Sequence, residues 1–226
     1  MSRTRPSRST PRTPKVAWES LTPFLGPLAE GEEVVDSMLT GDLTDTVARH
    51  PALARCHLVN AQLTGARLPR LELTDVLVEN SDLSGTDLDE SSFNRVEVRG
   101  CRLSGAILTR CTFRDVLFVA CRMDGSNFRM SRAESLKFDD TDLHDADFYG
   151  AALEDTRFFD SDLSGAEFSK ARLSGARLHG STVTDVKGAA SLAGVAIQSA
   201  QVLPLAFGVL GALGIVIDEE REPPER

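Results

Sequence analysis

The chain has 226 residues and a formal net charge of −9, long enough for one domain with a continuous core. Aromatic residues make up only 6%, which argues against a thick core. The acidic balance gives no basis for direct nucleic-acid binding, which needs a cationic surface.

Residues 1–15 carry five cations, three prolines and no apolar run. They lack the hydrophobic segment of a signal peptide and read as a disordered basic tail, at most an arm for an anionic partner. Residues 16–40 form an N-terminal capping segment. Trp18, Leu21, Phe24, Leu25 and Leu28 are apolar enough to close an open end, while Pro23, Gly26 and Pro27 prevent a long helix. The only Trp of the chain lies here, as expected of a cap.

From residue 41 to 187 a five-residue beat takes over. Every fifth position from Leu58 to Val183 is Leu, Phe, Val or Met, except Ala133. Those 26 centres include Phe93, Phe113, Phe118, Phe128, Phe138, Phe148, Phe158 and Phe168. Two residues before each centre stands Ala, Ser, Thr, Cys or Val, with Leu71 and Leu136 the largest. A period of five fits neither the 3.6 of a helix nor the 2 of a strand. It fits a chain that turns a corner every five residues and returns over itself after four such turns, with centre and small slot inward and the other three side chains outward. Units such as Ser81-Asp82-Leu83-Ser84-Gly85 and Ala171-Arg172-Leu173-Ser174-Gly175 resemble the pentapeptide-repeat proteins over residues 56–187. The resemblance implies an all-β solenoid: a right-handed, quadrilateral, parallel β-helix with a short C-terminal capping helix. Gly41 to Asp45 already fits the frame, whereas the units centred on Ala48 and Leu53 are degenerate, so the coil begins between residues 33 and 56.

Residues 188–217 close the other end. Val195–Ile197 reads as a last strand. Ser199 is placed to cap a helix to about Leu213, with Gly214 as its stop and Pro204 as a kink or late start. Residues 215–217 return as a short strand before the acidic tail, 218–226. Residues 202–217 are too short to span a membrane. The resemblance implies that such a helix mediates a homodimer, with Leu205, Val209 and Leu213 as the candidate face.

All four Cys (56, 101, 111 and 121) fall on the small inward slot. They read as buried free thiols in a reducing, cytoplasmic setting. No Gly-rich phosphate loop, nucleophile arrangement or metal-spaced ligand cluster stands out. Neither a cofactor nor a metal is expected, and the reading is non-enzymatic.

Two surface patterns remain. Charge runs in bands: seven acids and no base over residues 72–90, eight Arg against three acids over 95–132, and eleven acids against two bases over 134–167. Sorting units by twenties places Val59, Leu77, Leu117, Val119 and Phe159 outward on one side, as a partner surface or as ground covered by Trp18 and Phe24. These features suit a scaffold that binds a protein partner or its own copy. The resemblance also implies an alternative. The best-known members mimic duplex DNA, occupy the DNA-binding saddle of DNA gyrase and protect it from quinolones or toxins. The acidic bands favour that role, and the Arg-rich band and basic tail oppose it.

Overall fold

The computed structural model of the chain describes residues 10–215. The basic stretch before Thr10, the expected strand beyond Ile215 and the acidic tail lie outside the described residues.

Among the described residues ten strands stack in parallel as a β-solenoid. They are β1 (Thr22–Phe24), β2 (Glu33–Val35), β3 (Ser37–Asp42), β4 (Ala52–Ala54), β5 (His57–Gln62), β6 (Glu72–Glu79), β7 (Ser92–Arg99), β8 (Thr112–Val119), β9 (Arg132–Asp139) and β10 (Arg157–Phe159). The register advances by twenty residues per coil, as in Leu73↔Phe93↔Phe113 and Val98↔Phe118↔Phe138. Four five-residue units therefore make one coil.

The corners explain the composition of the fifth residue of each unit. Every multiple of five from Asp45 to Asp185 has a positive φ, a region that Gly, Asn and Asp reach most cheaply. On two sides the chain turns tightly, and the N–H of the small slot donates to the preceding centre's carbonyl, as from Ala66 to Leu63 at 3.0 Å. On the other two sides β6 to β9 run for eight residues straight through a corner.

The core is the lumen. All eight Phe centres are buried. From Phe118 onward the rings stack coil on coil. Phe138 lies 5.2 Å from Phe118 and 5.1 Å from Phe158, nearly parallel to both. Phe128, Phe148 and Phe168 form a second stack. The two stacks meet edge to face. The N-terminal half is filled mainly by Leu and retains a void of about 30 Å³ lined by Leu53, Leu63, Leu73 and their neighbours.

Both ends depart from the sequence reading. The 41–187 boundary starts too late, because β2 already stacks on β4 and β3 on β5, which puts the first coil at the early edge of the expected 33–56 window. The spacing there is nineteen, as in Leu39↔Leu58, and slips to twenty between Leu39 and Gly41. Val34 and Leu39 consequently point inward one residue off the frame, which hid the first coil from a strict count. Leu28, not Trp18, joins the core at this end. Trp18 sits on the flank, half exposed, with its ring edge-on to His57 at 5.2 Å.

At the far end the expected strand 195–197 is a single parallel bridge, Arg177↔Ala196, again at spacing nineteen. Helix α1 (Val202–Ala212) follows a short 3-10 turn, Ser199–Gln201. Its start is fixed by buried Gln201 rather than Ser199. The Gln201 Nε2 donates to the carbonyls of Leu178 and Ser181, and its Oε1 accepts the Gln198 N–H at 2.8 Å. Pro204 lies in the first turn, where a missing N–H costs nothing. Gly214 stops the helix at φ +72°, and the Ile215 N–H returns to the Leu210 carbonyl at 2.9 Å. Among the described residues no helix is long and apolar enough to cross a membrane.

Candidate functional site

Position in the coil decides what each candidate residue offers. The four cysteines point into the lumen wall, and their Sγ–H groups donate to backbone carbonyls, as from Cys101 to Arg99 at 3.3 Å and Cys121 to Val98 at 3.4 Å. Ser and Thr at the same slot do likewise, as from Ser131 to Leu108 at 2.6 Å. Burial pushes the thiols of Cys101 and Cys111 up to about 12 and that of Cys121 up to about 11. The thiolate is the nucleophile, so the folded chain at pH 8 should show none of its four thiols to a colorimetric disulfide reagent, and all four in denaturant. A native thiol titrating within minutes would contradict this packing. Among the described residues no group of three or more His, Cys, Asp or Glu is placed to hold a metal ion.

The apolar stripe is less open than its sequence positions suggest. Leu77 is buried, and Val59, Leu117, Val119 and Phe159 are half-buried. Phe159 stacks on His179 at 5.9 Å and lies under the Lys137 ammonium at 5.1 Å. The expected tail also needs correction, because residues 10–15 lie along the solenoid. Arg12 donates to the Asp115 carboxylate from its main-chain N–H at 3.2 Å and its Nε at 2.6 Å, and the Lys15 N–H donates to Asp75 at 3.0 Å. Asp75 and Asp115 are outward positions by sequence, yet both are buried.

Helix α1 divides its residues differently from the expected face. Leu205 is 8% exposed and belongs to the core cluster, so it seals the coil and is unavailable to a second copy. Val209 and Leu213 are exposed, as expected. The widest apolar exposures on α1, Leu203 at 75% and Phe207 at 70%, escaped the sequence reading. Their spacing of four places them on one side of a helix, and that signal was present in the sequence. A cleft of about 330 Å³ runs between α1 and the last coil, lined by Val195, Ile197, Val202, Val209 and Leu210.

The charge bands are interlocked. Among the described residues seven of the eight band arginines have a carboxylate within 4.0 Å. Arg95, Arg102 and Arg110 reach back to Asp75, Asp82 and Asp89, while Arg114, Arg122 and Arg129 reach forward to Glu134, Asp142 and Asp147. Further along, Asp140, Asp142, Asp160 and Asp162 border one open groove with Arg122.

With the coil established, the family follows from the repeat itself. A family model described as a pentapeptide repeat region matches residues 49–128 and 91–168. The chain belongs to the pentapeptide-repeat family. Similar solved pentapeptide-repeat folds include two trypsin-treated forms of QnrB1, described as a plasmid-mediated fluoroquinolone resistance protein. Each is 23% identical, with TM-scores of 0.45 and 0.44, covering 85% of this chain and 97% and 93% of theirs. HetL of the cyanobacterium Nostoc sp. strain PCC 7120, described as involved in heterocyst differentiation regulation, is 18% identical. It has a TM-score of 0.24 and covers 74% of this chain and 89% of its own. A pentapeptide-repeat protein from the Arabidopsis thaliana thylakoid lumen is 16% identical, with a TM-score of 0.24, covering 85% and 86%. No curated protein matches the chain.

Proposed function

We propose that this pentapeptide-repeat chain is a non-enzymatic scaffold that binds itself and a protein partner through the surfaces of its solenoid. The observation that carries the reading is the outer side of α1. Leu203 and Phe207 stand exposed while Leu205 plugs the coil, so one short helix has two apolar sides and only one is used. Contiguous apolar surface of this kind marks an interaction site. A second copy meeting it across a two-fold axis is the simplest closed assembly. Light scattering should give twice the 24.5 kDa chain mass. The double variant Leu203→Asp, Phe207→Asp should return the mass to one chain with the β-sheet circular dichroism unchanged. A wild-type monomer at 100 µM, or a variant that stays dimeric, would remove α1 as the interface.

A second reading is binding to DNA gyrase as a DNA mimic. Two observations favour it. The arginine band, which would repel a basic saddle, is largely engaged by neighbouring carboxylates. The groove bordered by Asp140, Asp142, Asp160 and Asp162 offers fixed negative charge. A supercoiling assay decides it, since neither inhibition nor protection at micromolar protein would end the idea.

A further inference from the structure

One corner of the solenoid carries a ladder of alternating sign. Asp36, Arg55, Asp75, Arg95 and Asp115 follow one another at intervals of nineteen or twenty residues, all with positive φ. Arg55 grips Asp36 with two hydrogen bonds of 2.7 and 2.8 Å, and Arg95 grips Asp75 with two of 2.6 Å. The alternation then stops. The next rung is Ser135, whose buried hydroxyl oxygen has no hydrogen-bond partner among the described residues. The coil thus supplies no cation beyond Asp115, whose side chain is only 4% exposed. Arg12, from the N-terminal segment, supplies it.

The spacing of the contacts has a physical cause. Asp115 and Asp75 are two coils apart, about 9.6 Å at the usual parallel-strand spacing. Arg12 and Lys15 are three residues apart, about 9.3 Å if the segment is a polyproline helix, which repeats every three residues. The residues between and before them are Pro11, Thr13 and Pro14. Each proline fixes φ in the polyproline range and lacks an N–H. The two donated N–H groups belong to the residues that follow the prolines, Arg12 and Lys15. One turn of such a helix therefore presents the same side to the same corner every second coil. At Asp75, burial raises the pKa, but the Arg95 side chain and the Lys15 N–H outweigh it and hold the carboxyl below its usual range. Asp75 therefore keeps its charge at neutral pH and loses it only as pH falls through that lowered value.

We propose that this corner is a docking track for an extended, proline-spaced basic peptide of a partner protein, with residues 11–15 of the chain itself as the resident occupant. The recognised pattern is Pro-cation-x-Pro-x, read by the buried carboxylates of Asp115 and Asp75. A partner segment of the same chemistry enters by displacing the resident one. The track lies on the flank of the first coils and does not involve α1, so it stands or falls separately from the dimer interface.

The test uses the full chain and a fluorescein-labelled synthetic peptide reproducing residues 10–18. Arg12→Ala weakens the resident segment, and the peptide should then bind at least ten-fold tighter than to wild type. Adding Asp115→Asn should return binding to the wild-type level or below, and raising salt should weaken it. The Leu203→Asp, Phe207→Asp variant should leave the titration unchanged. Circular dichroism and thiol protection identify any variant that fails to fold, and wild-type amide exchange gives a reading free of substitutions. Equal peptide binding by wild type and Arg12→Ala overturns the proposal. So does indifference to Asp115→Asn, or a wild-type Lys15 amide exchanging as fast as in the free peptide.

Discussion

Phe138→Ala should cost about 4 kcal/mol of stability, within the range for emptying a large aromatic site in a packed core. Phe138 is fully buried and stacks on Phe118 and Phe158 while meeting Phe128 and Phe148 edge to face. Both stacks lose contacts at once, and each aromatic pair contributes roughly 0.5–1.5 kcal/mol beyond its buried area. The lumen wall has little room to collapse, because strand pairing at 20-residue register fixes the spacing between coils. Urea denaturation should show a lower midpoint. Since solenoid stability is a sum over neighbouring coils, the variant should also acquire a plateau between two transitions. A single transition less than 1 kcal/mol from wild type would mean that Phe138 is not packed as described.

Gly188→Ala should be the most damaging single methyl addition in the chain, at about 3 kcal/mol. Two costs add. A left-handed backbone costs an L-residue roughly 1–2 kcal/mol, and Gly188 sits at φ +72°. The new Cβ would also stand 2.2 Å from the Ser169 nitrogen and 2.6 Å from its Cα, backbone atoms that cannot rotate aside. Gly188 is the last residue before the coil leaves its twenty-residue register for the α1 cap. The damage should therefore fall on the cap, and hydrogen exchange should quicken at residues 189–212 more than at 60–120. Gly211→Ala, in open space on α1, serves as the control and should gain up to about 1 kcal/mol of helix propensity. Equal behaviour of the two variants would show that the close approach at Ser169 is not real.

The lumen was legible because its rule is local. A strict quintet names both inward slots, and all eight Phe centres and four cysteines lie where the count puts them. What the quintet concealed depends on chain segments far apart in sequence. Asp75, Asp115 and Leu77 read as outward positions, and they do leave the lumen. They are buried all the same, and residues 12 and 15 lie directly against the two carboxylates. The first coil was hidden by one residue of slippage at Leu39/Gly41, which moved Val34 and Leu39 off the count. Leu205 was misread for a related reason. A helix closing a tube must spend one apolar side on the tube, and the sequence does not say which. The i, i+4 spacing of Leu203 and Phe207 marks the other side in the sequence.

The lumen filling divides the rod into unequal halves. Leucines and an apolar-lined void occupy the first coils, and interlocked rings occupy the later ones. In a one-dimensional stack this is a gradient of cohesion along the axis. Fraying should start at the leucine end and stall where the first ring stack begins, near Phe118. A pulling experiment gripping both termini would then release the chain in order, amino end first, and the aromatic half would hold its shape after the other had let go.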